Sequence, residues 1–267
     1  MNDMPEMLWL ETIDSTSAHL HRLESECYLP HGYAVAAYEQ TDGRGQRGNH
    51  WHVQAGANAT VSVYLRPTAI SAALQFDLSR MAALAVCDVL DGYLPEDMRG
   101  RLRLKWPNDI YFDNDKLGGI LIENSLYGNR VLTSIVGIGV NIRQRRWEGG
   151  APNATSLALI RGCEDCDLPE PREVCRAIAA ECAAASAGEY DAEILRSRYM
   201  SRLWRGDGKT YRWLPGPLPS AYCRQPSGAL PFEAAIDDVA DDGHLLLRTA
   251  VGTQLPPFAF KEVTPLL

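Results

Sequence analysis

The sequence predicts an α+β protein, a mixed β-sheet backed by helices with a small β-barrel appended at its C-terminal end. Two observations carry that expectation. Runs of strand length are interspersed with runs of helical period through residues 1–206. After Gly206-Asp207-Gly208 the composition shifts to prolines at 215, 217 and 219 and to short strand-like runs. The chain is accordingly divided into a large domain, 1–206, and a small β domain, 207–267. A length of 267 residues, 46% hydrophobic and 22% charged, suits one large domain plus a small one.

The elements follow in order. Residues 9–13 read as a strand and Asp14-Ser15-Thr16 as a helix start, where a side-chain oxygen caps the free N–H groups of a helix running to about residue 26. Residues 32–40 contain Tyr33-Ala34-Val35-Ala36-Ala37-Tyr38, a buried strand leading into a glycine-rich loop, and 60–66 form a further strand closed by Pro67. From 70 to 94, apolar residues such as Leu74, Leu78, Met81, Ala85 and Val89 recur at helical spacing, so this helix should back the sheet. Strands are predicted at 101–106, 110–112, 117–124 and 131–142, with turns at Asp113-Asn114-Asp115 and Tyr127-Gly128-Asn129. Helix resumes at 156–160 and over about 172–204. The runs 232–236, 245–248 and 258–263 supply the strands of the barrel.

Composition excludes several classes. A formal charge of −8 argues against a dedicated nucleic-acid binder. No run of eighteen apolar residues suits a membrane span, and the start Met1-Asn2-Asp3-Met4-Pro5-Glu6 has no apolar signal core, so a cytoplasmic protein is expected. The seven cysteines form no disulfide framework. Cys163 and Cys166 make a C-x-x-C that Cys175 and Cys182 could complete as a zinc site. The last two, however, are seven apart in an alanine-rich helix, a spacing that suits one buried face, and the carboxylates beside Cys163 disfavour thiolate formation. No zinc is expected.

Four islands concentrate the chemistry. In Gly43-Arg44-Gly45-Gln46-Arg47-Gly48-Asn49-His50-Trp51 the glycine spacing imitates a dinucleotide loop, but arginines stand between the glycines and no helix follows. It reads either as a solvated hairpin or as a lid in which Arg44 clamps a phosphate and Trp51 offers an apolar face. In Lys105-Trp106-Pro107-Asn108-Asp109 the proline ends a strand and exposes a polar pair, either as plain turn chemistry or to let Asp109 hold Mg²⁺ or orient a cation. Gly118 and Gly119, after Lys116 in a strand, ask for a ligand close to the backbone or for a β-bulge. Gly137 and Gly139 leave one face of a strand bare for a flat ligand, and Asn141 can bond an amide or base edge. Together the islands suit activation of a carboxylate by ATP.

These residues resemble those of the biotin–protein ligases. The matching motifs are Asp14-Ser15-Thr16, Glu39-Gln40 running into the glycine–arginine loop and Trp51, Lys105-Trp106-Pro107-Asn108-Asp109, Lys116-Leu117-Gly118-Gly119-Ile120-Leu121, and Gly137-Ile138-Gly139-Val140-Asn141. They cover about residues 9–142 in family order. The resemblance implies a catalytic fold like that of the class II synthetases, and an SH3-like barrel at the C-terminus. It implies that biotin and Mg-ATP give biotinyl-adenylate and pyrophosphate, and that a lysine of a biotin carboxyl carrier domain then expels AMP.

By position, Ser15, Thr16, Gln40, Gly43, Gly119 and Leu121 fall on the biotin side, Arg44 and Lys116 at the biotin carboxylate and adenylate phosphate, and Arg47, Trp51, Asn108 and Asn141 on the nucleotide side. The resemblance makes Lys116, Arg44 and Asp109 the catalytic set, with Asp109 near metal and phosphate. Two positions depart from the pattern: Gln46 stands where many members carry arginine, and Gly118 stands for alanine, a mild change on its face. No winged-helix segment precedes Trp9, so DNA binding is not implied, and the choice between monomer and homodimer stays open. A lipoate–protein ligase, which shares the fold, and a non-catalytic docking module are the competing readings.

Overall fold

The computed structural model describes residues 6–51, 54–147, 153–216 and 230–266, the Arg47 side chain aside. Eleven strands and five helices are assigned among them. The strands are β1 (Met7–Ile13), β2 (Ala34–Gln40), β3 (Asn58–Leu65), β4 (Leu102–Lys105), β5 (Asp109–Phe112), β6 (Asp115–Tyr127), β7 (Arg130–Asn141), β8 (Tyr211–Pro215), β9 (Phe232–Val239), β10 (Leu245–Arg248) and β11 (Val263–Pro265). The helices are α1 (Thr16–Glu26), α2 (Phe76–Asp91), α3 (Leu157–Arg161), α4 (Pro171–Ala185) and α5 (Ala192–Arg202).

The first seven strands form one mixed sheet in the order β1-β2-β3-β7-β6-β5-β4. Only β1 and β2 run parallel, because α1 supplies the crossover that parallel neighbours need. Side chains alternate between the two faces of a strand, and two buried clusters record it. Val61, Val63, Val136 and Ile138 pack with α2 and α4 on one face, whereas Val35, Tyr64 and Ile135 pack with Leu20 of α1 on the other. The α2 helix backs the sheet as its spacing predicts, although it starts at Phe76 after a short turn at Ala72–Leu74.

The long helix expected over 172–204 is two helices. Ser186 turns its Oγ back to the Cys182 carbonyl, Gly188 takes φ +86°, and Asp191 caps the new start by accepting from the Glu193 and Ile194 amides. Cys175 and Cys182 are both buried on α4, as their spacing implies, and burial pushes both thiols up to about 12. Cys87 on α2 is raised likewise.

Among the described residues the C-terminal part makes a second sheet of four strands in the order β10-β9-β8-β11, in which the edge strands β10 and β11 do not pair, so the expected closed barrel is an open sheet. It contains β8, which the reading of the sequence did not include. Of the run 258–263, only Val263 enters a strand; Phe258 pairs with Leu245 through an isolated bridge. Pro217 and Pro219 lie outside the described residues. Arg80 of α2, 1% exposed, bolts this sheet to the large one, donating to the Val239 and Ala240 carbonyls at 2.7 and 3.2 Å and pairing with Asp77 at 2.5 Å. Tyr190 Oη completes the cluster by donating to Asp77 at 2.6 Å.

Candidate active site

One pocket of ≈ 150 Å³ gathers most of the residues singled out in the sequence, on the α1 face of the large sheet. Ser15, Thr16, Gln40, Arg44, Trp51, Asn108, Asp109, Lys116, Gly119 and Leu121 all line it. Its polar end is built at the start of α1. Ser15 is extended and caps the helix through its Oγ, which turns Thr16 and Ser17 toward the sheet. The Thr16 amide and hydroxyl both donate to Gln40 Oε1, at 2.7 and 2.9 Å. Ser62 of β3 joins the Thr16 and Ser17 hydroxyls at 2.8 and 2.9 Å. Buried hydroxyls persist only with partners, and these satisfy one another.

The glycines of β6 and β7 form the floor. A Cβ on Gly137 would stand 2.7 Å from Ser17 Oγ, and one on Gly139 would strike the Trp51 indole. The bare face expected of this strand is therefore present, but Trp51 lies flat over its Gly139 portion. Gly118 has a different reason. Opposite it the register slips, so that Ile110 pairs with Gly118 and Tyr111 with Lys116, which leaves Leu117 as the extra residue of a bulge. A Cβ at Gly118 would approach the Gly139 carbonyl to 2.7 Å, so alanine there is not the mild exchange it looks like in the sequence.

Two residues further along β7, roughly 7 Å from Gly137 at strand rise, lies the charged end. The β4–β5 hairpin closes through Trp106-Pro107-Asn108, with a cis Trp106–Pro107 bond and Lys105 opposite Asp109. Asp109, its side chain 17% exposed, sits between two ammonium groups, 2.6 Å from Lys116 Nζ and 3.8 Å from Lys105 Nζ. Lys116 Nζ also lies 5.7 Å from the Trp51 ring centroid. Asp109 is the single carboxylate among the described residues lining the pocket.

The glycine–arginine loop is a compact hairpin. Trp51 donates to the Gly43 carbonyl at 2.8 Å, Gly45 donates to Asn49 at 2.7 Å, and Gln46–Gly48 make a turn of 3₁₀ helix at the tip. Gly43 is buried beneath, where a side chain would strike the Trp51 carbonyl. Arg44 is exposed at the rim and pairs with no carboxylate among the described residues. The Arg47 side chain lies outside the described residues. Gln46 Oε1 and Trp51 Nε1 are buried without a hydrogen-bond partner.

The two asparagines behave differently from the other candidates. Asn108 lines the pocket but spends its amide on the Ile120 carbonyl at 2.7 Å. Asn141, 2% exposed, donates to the Thr155 carbonyl at 2.9 Å and is not among the lining residues; its Oδ1 is buried and unpartnered. Sequence reasoning missed Ser17, Thr60, Ser62 and Phe260, which also line the pocket. Serines and threonines carry no positional signature in a strand; only pairing of β3 with β7 places Ser62 opposite Gly137.

Residues 9–141 match the model of the biotin/lipoate A/B protein ligase family. Over 255 residues the chain is 32% identical to a biotin–[acetyl-CoA-carboxylase] ligase of Paracoccus denitrificans, covering 94% of this chain and 97% of that one. It is 35% identical over 150 residues to the bifunctional ligase/repressor BirA of Escherichia coli, a match spanning 44% of that protein. Among solved structures, a biotin protein ligase from Aquifex aeolicus in complex with biotin and ATP superposes with a TM-score of 0.70 at 25% identity, covering 98% of both chains.

Proposed function

The chain belongs to the biotin–protein ligases, and on that premise we propose that it joins biotin to ATP as biotinyl-adenylate and passes the biotinyl group to a lysine of a biotin carboxyl carrier domain. The observation that carries the proposal is a single pocket with a neutral polar end at Thr16–Gln40–Ser62 and a cationic end at Lys105, Lys116 and Arg44. A ureido ring needs hydrogen-bond partners in an apolar slot, and each one missing costs about 1–3 kcal/mol. With Oε1 engaged by Thr16, the Gln40 amide nitrogen remains to serve the ring, beside Ser15, Gly119 and Leu121, while Gly43 backs that nitrogen from beneath the loop.

At the other end a carboxylate attacks the α-phosphorus, and negative charge grows on the phosphoryl oxygens as pyrophosphate leaves. Lys116 and Arg44 stabilise that charge in place of water. Asp109 holds Lys116 in position, and Trp51 covers the adenylate from the loop side. The family pattern assigns Arg47 and Asn108 to the nucleotide as well, whereas Asn141, tied to the Thr155 carbonyl and outside the pocket lining, would act there only by supporting its wall. Mg²⁺ would be held here mainly by the substrate's own phosphates and water, with Asp109, the single lining carboxylate among the described residues, as the one protein ligand once it gives up its contact with Lys116; the ion would neutralise phosphate charge. The four-stranded C-terminal sheet is read as the SH3-like module of residues 207–267, and 1–206 as the catalytic domain. The expected setting is the cytoplasm, with its carrier proteins.

Calorimetry with biotin, lipoate and ATP, separately and together, tests the reading. Biotin should bind selectively, and more tightly once Mg-ATP is present. Equal binding of lipoate would transfer the site to the lipoate ligases.

A further inference from the structure

A second cavity of ≈ 300 Å³ lies between α2, Ile120 and Ile122 of β6, and the C-terminal loops at 242–244 and 259–260, and meets the first around the Trp106–Asn108 loop and Phe260. Its wall carries a pair that the chemistry above does not use. His244 Nδ1 lies 2.9 Å from Asp242 Oδ1, with the imidazole 32% exposed. The same carboxylate oxygen accepts from the His244 amide at 3.1 Å. The turn between them is pinned to the active-site loop: Trp106 Nε1 donates to the Gly243 carbonyl at 2.8 Å. Gly243, at φ +88°, packs so closely on Phe76 that a Cβ would come within 2.7 Å of its ring. Apart from Asp242 and His244, the described residues lining this cavity are uncharged. Gln46, whose Oε1 is buried and unpartnered, faces both cavities.

We propose that this cavity is the entry channel of the acceptor lysine, and that His244, oriented by Asp242, is the base that removes a proton from its ammonium group. The inference rests on the ligase reading above. An ammonium with an ordinary pKa of about 10.4 is nearly all protonated at neutral pH and cannot attack. His244 Nε2 takes one proton. The freed nitrogen then bonds to the acyl carbon of biotinyl-adenylate as the carbon–oxygen bond to phosphate breaks, and the second proton leaves with AMP. Gln46 Oε1 accepts a hydrogen bond from the incoming nitrogen and holds it in line. Burial pushes the Asp242 carboxyl up, but the hydrogen bonds from the His244 backbone and side chain outweigh it and hold it below its ordinary value, so an anion faces the imidazole.

The test is single-turnover transfer from preformed enzyme–biotinyl-adenylate to a biotin carboxyl carrier domain, in wild type, His244→Ala and His244→Gln. Both variants should form adenylate at the wild-type rate but transfer to lysine roughly 10²-fold more slowly at pH 7. That deficit should shrink as pH rises and free amine accumulates. Hydroxylamine, whose nitrogen is already unprotonated at neutral pH, should be acylated equally fast by all three. Unchanged transfer to lysine, equal slowing toward hydroxylamine, or slowed adenylate formation would each overturn the proposal. Failure of the wild type to form adenylate would instead overturn the ligase reading.

Discussion

Asp109 and the cations around it, Lys116 and Lys105, form the charged centre of the pocket. Lys116 is 33% exposed and touches Asp109 and the Trp51 face, so it contributes little packing. Lys116→Ala should therefore fold normally and lose about 10²–10³-fold in adenylate formation, read as biotin-dependent pyrophosphate release. Near-normal release would remove Lys116 from the chemistry. Arg44 is held at the pocket rim by a closed hairpin and has no described carboxylate to neutralise it. Arg44→Ala should speed loss of bound biotinyl-adenylate by about 10-fold, the worth of one charge-assisted hydrogen bond. An unchanged dissociation rate would count against the lid. Lys116, Arg44 and Asp109 were legible because charged residues beside strand-breaking glycines and proline have few structural reasons to be there. Ser62 was not, since nothing local marks a strand serine that will meet Thr16 across forty-six positions.

At the scale of elements, strands β6 and β7 explain their glycines by contact. Gly139→Ala would put a methyl group into the Trp51 indole, displacing the loop while the strand itself stays paired. Overpacking of this kind costs about 1–3 kcal/mol, and the expected result is quenched or shifted Trp51 fluorescence with faster adenylate loss. The cysteines test burial along the helices. With thiols raised to about 12, Cys87, Cys175 and Cys182 should resist alkylation at pH 8, where thiolate is scarce, while exposed Cys27 and Cys166 react. Mass spectrometry after brief iodoacetamide treatment reads the pattern, and prompt labelling of the buried three would contradict the packing of α2 and α4. The sequence carried α1, α2 and the sheet floor, because capping and periodicity are local. The break between α4 and α5 was also written locally, in Ser186, Gly188 and Asp191, but alanine-rich flanks hid it behind high helical propensity.

At the scale of the whole molecule, the two sheets share one apolar core and one buried bolt. Arg80→Met should cost about 3–5 kcal/mol in denaturant-induced unfolding, because Asp77 is left buried with only Tyr190 as a partner. A loss below ~1 kcal/mol would mean the C-terminal sheet is held by its apolar contacts and its other polar ties, such as Trp106 to Gly243 and Arg196 to Asp238, without need of Arg80. That sheet was the least legible part of the chain: most of its strands are short, its pairing is long-range, and Phe260 reaches the pocket only because this part docks on Arg80 of α2 and on Trp106 of the active-site loop. No described helix is long and apolar enough to cross a membrane. What remains decisive is the pocket's pairing of a neutral polar end with a cationic one. Biotin-dependent exchange of labelled pyrophosphate into ATP measures both ends in one reaction. Exchange that needs biotin, is not supported by lipoate and falls at least 10²-fold in Lys116→Ala is the predicted result. Exchange supported equally by lipoate, or absent with biotin and Mg-ATP at saturation, would contradict it.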